Sequence, residues 1–336
     1  YVEPASSFRS TMEYQNVVYA IGGAIVERVS GMSWDAFIRS RIFAPLGMTE
    51  SEPLVAGIMG KANVATPHAE SGDTVRVVPV RSTDQIAPAG SVWSSVADMA
   101  RWMRFILDSG RVGSNRLLSP ATFTELVTPQ IRAPMALYPA LSLTRPHAFS
   151  YGLGWFIEDY QGQTVWMHTG SIDGMSAIIG LMPDRRVGVY VLANLDHAEL
   201  RHALMYKVFD LYAGNPPRDW SADLLAMFTS ARRAAAAGRS TASSAAATPP
   251  SLPLERYAGR YADSAYGSVE VTLSDGALHA RFGSDDLGTL EPRDYESFRA
   301  RGPIPDFDRT VLTFVPDGAG HVTAVRLFGA TFARIR

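Results

Sequence analysis

Cysteine is absent from the 336-residue sequence, which excludes disulfide bonds, a thiolate nucleophile and cysteine-bound zinc together. Lysine is nearly absent as well, because only Lys61 and Lys207 interrupt a basic complement that is otherwise arginine. No apolar run approaches the ~20 residues that a membrane-spanning helix needs. The net charge of −2 gives no general attraction to nucleic acid or to an anionic membrane. The sequence therefore predicts a globular protein with neither a nucleic-acid partner nor a membrane span.

Several signatures of catalysis and cofactor binding are also missing. The chain contains no G-x-S-x-G nucleophile elbow, no H-E-x-x-H zinc motif, no phosphate-binding G-K-[S/T] loop and no G-x-G-x-x-G dinucleotide fingerprint. The sequence therefore predicts no metal ion and no organic cofactor.

Helix signals dominate the first part of the chain, and strand signals follow from Tyr151. Early on, Val18, Ile21, Ile25 and Val29 recur at helical spacing, and their apolar face predicts a buried helix. Later come four consecutive strand-like runs separated by Gly or Pro-Asp turns: YGLGWFIED, TVWMHTG, SAIIGLMP and RVGVYVLANL. These patterns predict an α/β (α+β) fold in which helices flank an antiparallel sheet.

A last amphipathic helix is predicted after the strands, and its apolar side is defined by Leu200, Leu204, Val208 and Leu211. The stretch 230–253, SARRAAAAGRSTASSAAATPPSLP, is rich in Ala, Ser and Pro and predicts a linker. Beyond it, 254–336 alternates between apolar and polar residues, with Ser-Asp-Gly and Pro-Asp-Gly-Ala-Gly turns. We therefore expect a first domain at 1–229 and a separate small all-β barrel at 254–336.

Two short motifs carry chemistry: Tyr14-Gln15-Asn16, just ahead of the first helix, and His168-Thr169-Gly170, on a predicted strand. Each has a structural interpretation when taken alone. A phenol and a carboxamide before a helix are compatible with a turn and a cap, and a histidine on a strand is most often packed or hydrogen-bonded. Their meaning depends on the features that accompany them.

Those features are PLGM at 45–48, PAGSVWSSVADMARW at 88–102 and MPDRRVGVYVLAN at 182–194. In this order, with the two short motifs, the chain from about residue 5 to 212 resembles the serine β-lactamase-like and penicillin-binding-protein-like hydrolases. The likeness is to the branch that holds class C β-lactamases, DD-peptidases, D-aminopeptidases and esterases. The stretch 254–336 resembles the lipocalin-like barrel often appended to these enzymes. In this family an S-x-x-K helix, a Y-x-N loop and a K-T-G or H-x-G strand build the site.

The resemblance implies a role for each residue of the two motifs. Tyr14 would exchange a proton with the nucleophile and the leaving group, and a phenol with a pKa near ~10 needs nearby cations to act as a base. Asn16 would orient the motif lysine and the substrate amide. His168 would replace the strand lysine, and would bind a substrate carboxylate or relay a proton to Tyr14.

The rest of the strand motif is implied to hold the substrate. Thr169 would offer a hydroxyl, and Gly170 would let the strand lie close to the ligand. The backbone N–H of Ser171 would be one of two oxyanion donors, a contribution typically worth ~10²–10³ in rate.

The family pattern breaks at its first motif, because this chain has no S-x-x-K. Ile58 stands three residues before Lys61, and Leu204 stands three before Lys207. Either the chain is part of a longer enzyme, or it is a pseudoenzyme that keeps only the scaffold. We expect an N-terminal segment that carries S-x-x-K, in the same polypeptide or as a cleaved partner, since without it the sheet would have an unpaired edge.

The function that this resemblance implies is serine-dependent acyl transfer on an amide or ester of a small molecule or peptide, through an acyl-enzyme. H-T-G in place of K-T-G favours a D-amino-acid peptidase, a DD-carboxypeptidase-like enzyme or an esterase over a β-lactamase. Peptidoglycan-like substrates would place the protein in the bacterial periplasm or outside the cell. The alternative is a non-catalytic binding protein that uses the same cleft.

Overall fold

The computed structural model describes residues 4–71, 74–243, 248–303, 307 and 310–335. These residues form two compact units. One is built from the stretches up to 75 and from 80 to 230, and the other from 76–79 and the stretch from 231 onward.

The described helices are concentrated in the first unit. They are α1 Asn16–Ser30, α2 Trp34–Ile38, α3 Ala44–Leu46, α4 Ala87–Gly90, α5 Val96–Leu107, α6 Pro120–Val127, α7 Leu141–Thr144, α8 Leu200–Ala213 and α9 Trp220–Ser243. A π-helical turn, Arg39–Phe43, joins α2 to α3, and 3-10 turns lie at Val55–Gly57, Asp84–Ile86, Met135–Leu137, Pro183–Arg185 and Leu254–Arg256.

Short strands precede the main sheet: β1 His68–Ser71, β2 Thr74–Val77, β3 Arg111–Val112 and β4 Asn115–Arg116. The main sheet contains β5 Ile131–Arg132, β6 Phe149–Tyr151, β7 Phe156–Tyr160, β8 Gln163–Ile172, β9 Met175–Met182 and β10 Val187–Ala193. Its spatial order is β10-β9-β8-β7-β6-β5, with antiparallel pairing throughout. The predicted antiparallel meander of four strands is confirmed as β7 to β10, and the sheet contains two further strands, β5 and β6.

The sheet is covered by helices on both faces, as side-chain alternation along β9 shows. Ile178 and Met182 belong to the core cluster that also contains side chains of α8. Ile179 and Leu181 belong to a second cluster with side chains of α5 and α6. Because successive residues of a strand point to opposite faces, these two clusters are the two interfaces of a helix–sheet–helix arrangement. The predicted fold class is therefore confirmed.

Helix α1 has clear local signals at both ends. Gln15 is extended, and its side-chain oxygen accepts a hydrogen bond from the backbone N–H of Val17 at 3.0 Å. Gly31 ends the helix in the left-handed region, with a φ of 69° that glycine adopts without steric penalty. Helix α1 begins at Asn16, one residue before the apolar run that starts at Val17.

The prediction that α1 is a buried helix is wrong for the residues described. Gly23 is its one buried residue there. The exposed fractions of the residues predicted to pack are 61% for Val18, 54% for Ile21, 59% for Ile25 and 82% for Val29. No described element covers this side of the helix, so its apolar face is open.

Helix α8 packs against the sheet with a different side from the one that the leucine spacing predicts. Leu200, Leu204 and Leu211 are exposed, although their spacing predicted the buried side. The side of α8 that packs against the sheet is mostly aromatic and polar: Arg201, His202, Ala203, Met205, Tyr206, Phe209 and Asp210. Polar side chains can be buried there because they are hydrogen-bonded, as when Asp210 accepts from Trp220 Nε1 at 2.5 Å.

The second unit contains a closed antiparallel barrel of eight strands: β11 Gly259–Asp263, β12 Gly267–Ser274, β13 Ala277–Phe282, β14 Asp285–Asp294, β15 Ser297–Arg301, β16 Val311–Pro316, β17 Val322–Leu327 and β18 Ala330–Ile335. Pairing of β11 with β18 closes it. The predicted Ser-Asp-Gly turn joins β12 to β13, with Asp275 and Gly276 at φ 52° and 75°. The small all-β barrel is confirmed.

The predicted domain limits, with a linker at 230–253, stay a prediction. Helix α9 runs to Ser243, and residues 244–247 lie outside the described part of the chain.

Candidate functional site

Tyr14 lies two residues before α1, at the end of the helix that faces the main sheet. Its ring has an exposed fraction of 46% and contacts three aromatic side chains. The ring centroids are 6.4 Å from Tyr151 on β6, 6.5 Å from Phe156 on β7 and 6.2 Å from His168 on β8. The structure therefore brings together the tyrosine of one sequence motif and the histidine of the other.

Asn16 occupies the first position of α1, where its side chain is exposed. The capping hydrogen bond at this helix end is made by Gln15 instead. Within the described residues, the Asn16 side chain forms no hydrogen bond with His168 or Tyr14, so its exposed amide is open to a ligand or a further residue.

Both ring nitrogens of His168 have hydrogen-bond partners. Nδ1 lies 3.0 Å from the carbonyl oxygen of Thr169, and Nε2 lies 3.1 Å from the hydroxyl of Tyr151. A carbonyl oxygen can only accept, so Nδ1 carries a proton. In the neutral ring, Nε2 is then the acceptor, and Tyr151 donates to it.

The surroundings of this cluster shift its pKa values in the directions that favour the uncharged forms. Burial lowers the pKa of His168, although donation to the Thr169 carbonyl opposes the shift. Burial also raises the pKa of Tyr14, and the nearby Tyr19 phenol raises it further. Burial raises the pKa of Tyr151 well above its ordinary value. The described residues therefore favour a neutral imidazole and neutral phenols at physiological pH.

The His168-Thr169-Gly170 motif is paired with β9, and Gly170 is exposed. The Thr169 hydroxyl donates to the carbonyl oxygen of Ala177 on β9 at 2.9 Å, which leaves its lone pairs able to accept from a ligand. A Cβ built at Gly170 would meet nothing within 4 Å. Open space beside an exposed strand residue without a side chain is what close approach of a ligand needs.

An arginine that the sequence analysis missed lies beside the end of this strand. Arg201 of α8 is buried, with a side-chain exposed fraction of 5%, and its guanidinium donates to Ser171 Oγ at 3.1 Å. Its other terminal nitrogen is 3.7 Å from a carboxylate oxygen of Glu199. Although burial opposes it, hydrogen bonds from His197 and His202 and the charge of Arg201 lower the pKa of Glu199 to about 2.

Two of the contacts that define the cluster could not be found from motifs. Tyr151 lies in the first predicted strand, seventeen residues before His168, and only the register of β6, β7 and β8 places them together. Arg201 was hidden because the leucine spacing assigned the wrong side of α8 to the interior. In contrast, the proximity of Tyr14 and His168 is what the family resemblance of the two motifs implies.

Within the described ranges, no group of three or more His, Asp or Glu side chains is arranged to hold a metal ion. A search of the same residues finds no helix with the length and apolarity needed to cross a membrane.

Comparison with known proteins identifies the family to which this chain is similar. The sequence profile of the β-lactamase family matches residues 1–213. A second profile, described as a domain of unknown function (DUF3471), matches residues 243–335 and so includes the barrel strands.

Individual relatives agree with the profile. Unguisins hydrolase ungD of Aspergillus violaceofuscus is 29% identical over 301 residues, which cover 83% of this chain and 53% of the relative. Penicillin-binding protein 4 of Amycolatopsis lactamdurans is 28% identical over 188 residues, which cover 55% of this chain and 48% of the relative. The chain spans about half the length of these curated relatives.

The fold is also similar to that of a solved structure. The octameric penicillin-binding protein homologue from Pyrococcus abyssi superposes with a TM-score of 0.56 over 98% of this chain and 66% of that one. The two sequences are 20% identical, so this likeness concerns the fold alone.

Proposed function

The chain belongs to the β-lactamase family of hydrolases, and from this premise we propose that it is part of a serine hydrolase that forms an acyl-enzyme. The acyl group comes from an amide or ester substrate. The nucleophilic serine is supplied by an S-x-x-K segment upstream of Tyr1, in the same polypeptide or as a cleaved partner.

The observation that carries the proposal is the convergence of Tyr14 and His168. Two motifs that stand more than 150 residues apart in the sequence meet with their ring centroids 6.2 Å apart. They meet beside β8, the strand that also holds Thr169 and Gly170. A proton-exchanging phenol beside a substrate-binding strand is the arrangement that acyl transfer to a serine needs.

Tyr14 takes the role of proton carrier in this proposal. It accepts the proton that leaves the serine hydroxyl when Oγ bonds to the substrate carbonyl carbon, and it delivers a proton to the departing amine or alcohol. Its raised pKa means that the described residues alone do not produce a phenolate. A lysine ammonium from S-x-x-K within hydrogen-bond reach would lower that pKa, which makes the upstream segment part of the acid–base chemistry.

The remaining motif residues bind and orient the substrate. The backbone N–H of Ser171 is proposed as one of two donors to the oxyanion. The Thr169 hydroxyl, whose proton goes to the Ala177 carbonyl, accepts a hydrogen bond from the substrate backbone. Gly170 leaves room for that backbone to lie along β8. The Asn16 amide, exposed at the start of α1, would orient the lysine and the substrate amide.

Three uncovered surfaces support the proposal of an upstream segment. The apolar side of α1 is exposed at Val18, Ile21, Ile25 and Val29. The leucine side of α8 is exposed in the same way. In the described residues, β10 stands at the edge of the main sheet with one side unpaired. Apolar helix faces and a free strand edge are all features that further chain normally covers.

The proposed substrates are peptides or small molecules with an amide or ester bond, and D-amino-acid peptidase, DD-carboxypeptidase-like and esterase activities are the candidates. The relatives include a protein named as a hydrolase and one named as a penicillin-binding protein. If the substrate is peptidoglycan-like, the protein acts in the periplasm or outside the cell.

The test begins with the native coding sequence upstream of Tyr1, where we expect S-x-x-K on an amphipathic helix. The full-length protein is then incubated with a fluorescent penicillin and, separately, with a fluorophosphonate. We expect a covalent adduct with at least one reagent, located by mass spectrometry on the serine of S-x-x-K and lost when that serine is replaced by alanine.

Tyr14→Phe is the matched variant inside this chain, because it removes only a hydroxyl. It should slow adduct formation without changing the melting temperature. If neither reagent labels the full-length protein, acyl transfer by this mechanism is refuted and the non-catalytic binding function is favoured.

A further inference from the structure

Tyr151 fixes the environment of His168 from two strands away. Its hydroxyl is 3.1 Å from His168 Nε2, and its ring packs edge-on against Phe156 with centroids 4.7 Å apart. Phe156 in turn contacts His168, with centroids 5.3 Å apart. Since β6, β7 and β8 are paired in a fixed register, the three rings have little freedom to move apart.

The side chains that contact the His168 ring provide no counterion for a positively charged imidazolium. From the segment before α1 comes Tyr14, from β6 Tyr151, and from β7 Phe156, and all three side chains are uncharged. Thr169 contributes a carbonyl oxygen to Nδ1. Within the described residues, no carboxylate forms an ion pair with this ring, so the hydrogen bond to the Thr169 carbonyl is what opposes the effect of burial on the imidazolium.

The other cations near the strand are paired with carboxylates. Arg201 contacts Ser171 but lies 3.7 Å from Glu199, which is ionised. Arg81 forms an ion pair at 3.3 Å with Asp173, which follows the end of β8. Both of these arginines, which lie near the Ser171 end of β8, therefore have a negative partner.

From this geometry we propose that Tyr151 is a positioning residue that holds His168 neutral, with the ring proton on Nδ1, so that the strand accepts an uncharged part of the substrate. The inference rests on the proposed acyl-transfer function and narrows its substrate class. It favours internal amides, amidated peptides and esters over substrates that place a free carboxylate beside His168. A DD-carboxypeptidase-like specificity is the one it disfavours.

The first test reads the protonation state of His168 directly and needs no substrate. Full-length protein with 15N-labelled histidine is examined by long-range 15N–1H correlation NMR, with the His168 signals assigned from a His168→Gln variant. At neutral pH we expect an unprotonated Nε2 and a protonated Nδ1. Tyr151→Phe removes only the hydroxyl, and it should shift the Nε2 resonance and mix the two tautomers.

A control variant separates this effect from general perturbation of the sheet. Tyr190→Phe removes a half-buried phenol from β10 that is not hydrogen-bonded to His168 in the described structure, and it should leave the imidazole signals unchanged. An imidazolium in the unaltered protein at neutral pH, or a proton on Nε2, would overturn the positioning role of Tyr151. Unchanged imidazole signals in Tyr151→Phe would do so too.

The second test addresses the substrate class with two probes that differ by one charge. An alkyl fluorophosphonate and the same reagent with a terminal carboxylate are compared by their second-order labelling rates on full-length protein. We expect the neutral probe to react at least about tenfold faster, which corresponds to roughly 1.4 kcal/mol of discrimination. His168→Lys should narrow this difference, because it places a cation on the strand.

Each outcome has a distinct meaning. Equal rates, or faster labelling by the carboxylate probe, would overturn the neutral-substrate inference while leaving acyl transfer intact. Absence of labelling by both probes would refute the acyl-transfer function and the substrate class with it. The NMR result would still decide whether Tyr151 positions His168.

Discussion

Glu158 is a buried carboxyl whose ionisation should cost the protein stability at neutral and alkaline pH. It lies on β7 with an exposed fraction of 1%, and the hydroxyl of Tyr206 on α8 donates to its Oε2 at 3.1 Å. Burial raises the pKa of Glu158 from its ordinary value of 4.5 to about 7. We predict that Glu158→Gln stabilises the protein, and increasingly so as the pH rises.

The direction of the effect follows from proton binding in the folded and unfolded states. Between pH 4.5 and about 7 the folded protein keeps a proton on Glu158 that the unfolded chain has released. The free energy of unfolding therefore falls as the pH rises through this window. At about 1.4 kcal/mol per pH unit, the gap corresponds to roughly 3 kcal/mol.

The assay is urea denaturation of the full-length protein and of Glu158→Gln at pH 4.5, 6 and 8. Glutamine keeps an acceptor for Tyr206 but cannot ionise. We expect the free energy of unfolding of the variant, relative to the unaltered protein, to rise by roughly 3 kcal/mol between the lowest and highest pH.

Glu50→Gln is the matched control, because it removes an exposed carboxyl from the same unit. Subtracting its pH profile removes the general effect of losing one negative charge. A difference between Glu158→Gln and the unaltered protein that stays constant from pH 4.5 to 8 would show that Glu158 is not held protonated by burial.

Three further substitutions test the site and the packing around it. Tyr14→Phe should lower kcat about 10²–10⁴-fold with an unchanged melting temperature, since a general acid–base residue is lost from a half-exposed position; an unchanged kcat would remove Tyr14 from the mechanism. Asp210 accepts hydrogen bonds from three side chains, so Asp210→Ala should cost roughly 3–5 kcal/mol in urea denaturation, and a cost below 1 kcal/mol would contradict its structural role. Gly180→Ala places a Cβ against Met205 Sδ and should lower the free energy of unfolding by roughly 1–3 kcal/mol. An unchanged melting temperature by calorimetry would contradict this steric clash.

The main sheet was predictable because its signals are local. Each of the four predicted strands is a short apolar run, and the turns between them carry residues that favour them, such as Gly174 between β8 and β9 with a φ of 85°. The short strands β5 and β6 lack such a run and were not predicted separately. The barrel was predictable for the same reason. The resemblance to the β-lactamase-like hydrolases also implied that Tyr14 and His168 lie together, because the family pattern links two stretches that periodicity cannot connect.

The orientation of the helices was not predictable from periodicity. An apolar stripe on α8 shows that one side avoids water, but it does not say what covers that side. In the structure, the side of α8 against the sheet is held by hydrogen bonds of Tyr206 with Glu158 and of Asp210 with Tyr160, and by the contact of Arg201 with Ser171. Such contacts depend on which residues face each other across elements, and a single sequence does not contain that information.

The same limit applies to the candidate site. The sequence motifs named the residues that meet the substrate in the proposed mechanism, but not Tyr151, which acts on one of them from two strands away. A residue that works through another residue has no spacing rule of its own. Register and ring packing decide its role, and both become visible only when the sheet is assembled.

The eight-stranded barrel has a consequence for how this protein can change. Its interior is occupied by fully buried aromatic rings: Tyr257, Tyr261, Phe298, Phe314 and Phe332. An interior filled in this way tolerates few changes of size, whereas the outward-facing positions of the same strands carry no such constraint. New specificity in this region would therefore arise by substitutions on its outer wall and loops. The barrel is a stable scaffold whose surface can diversify while its inside stays fixed.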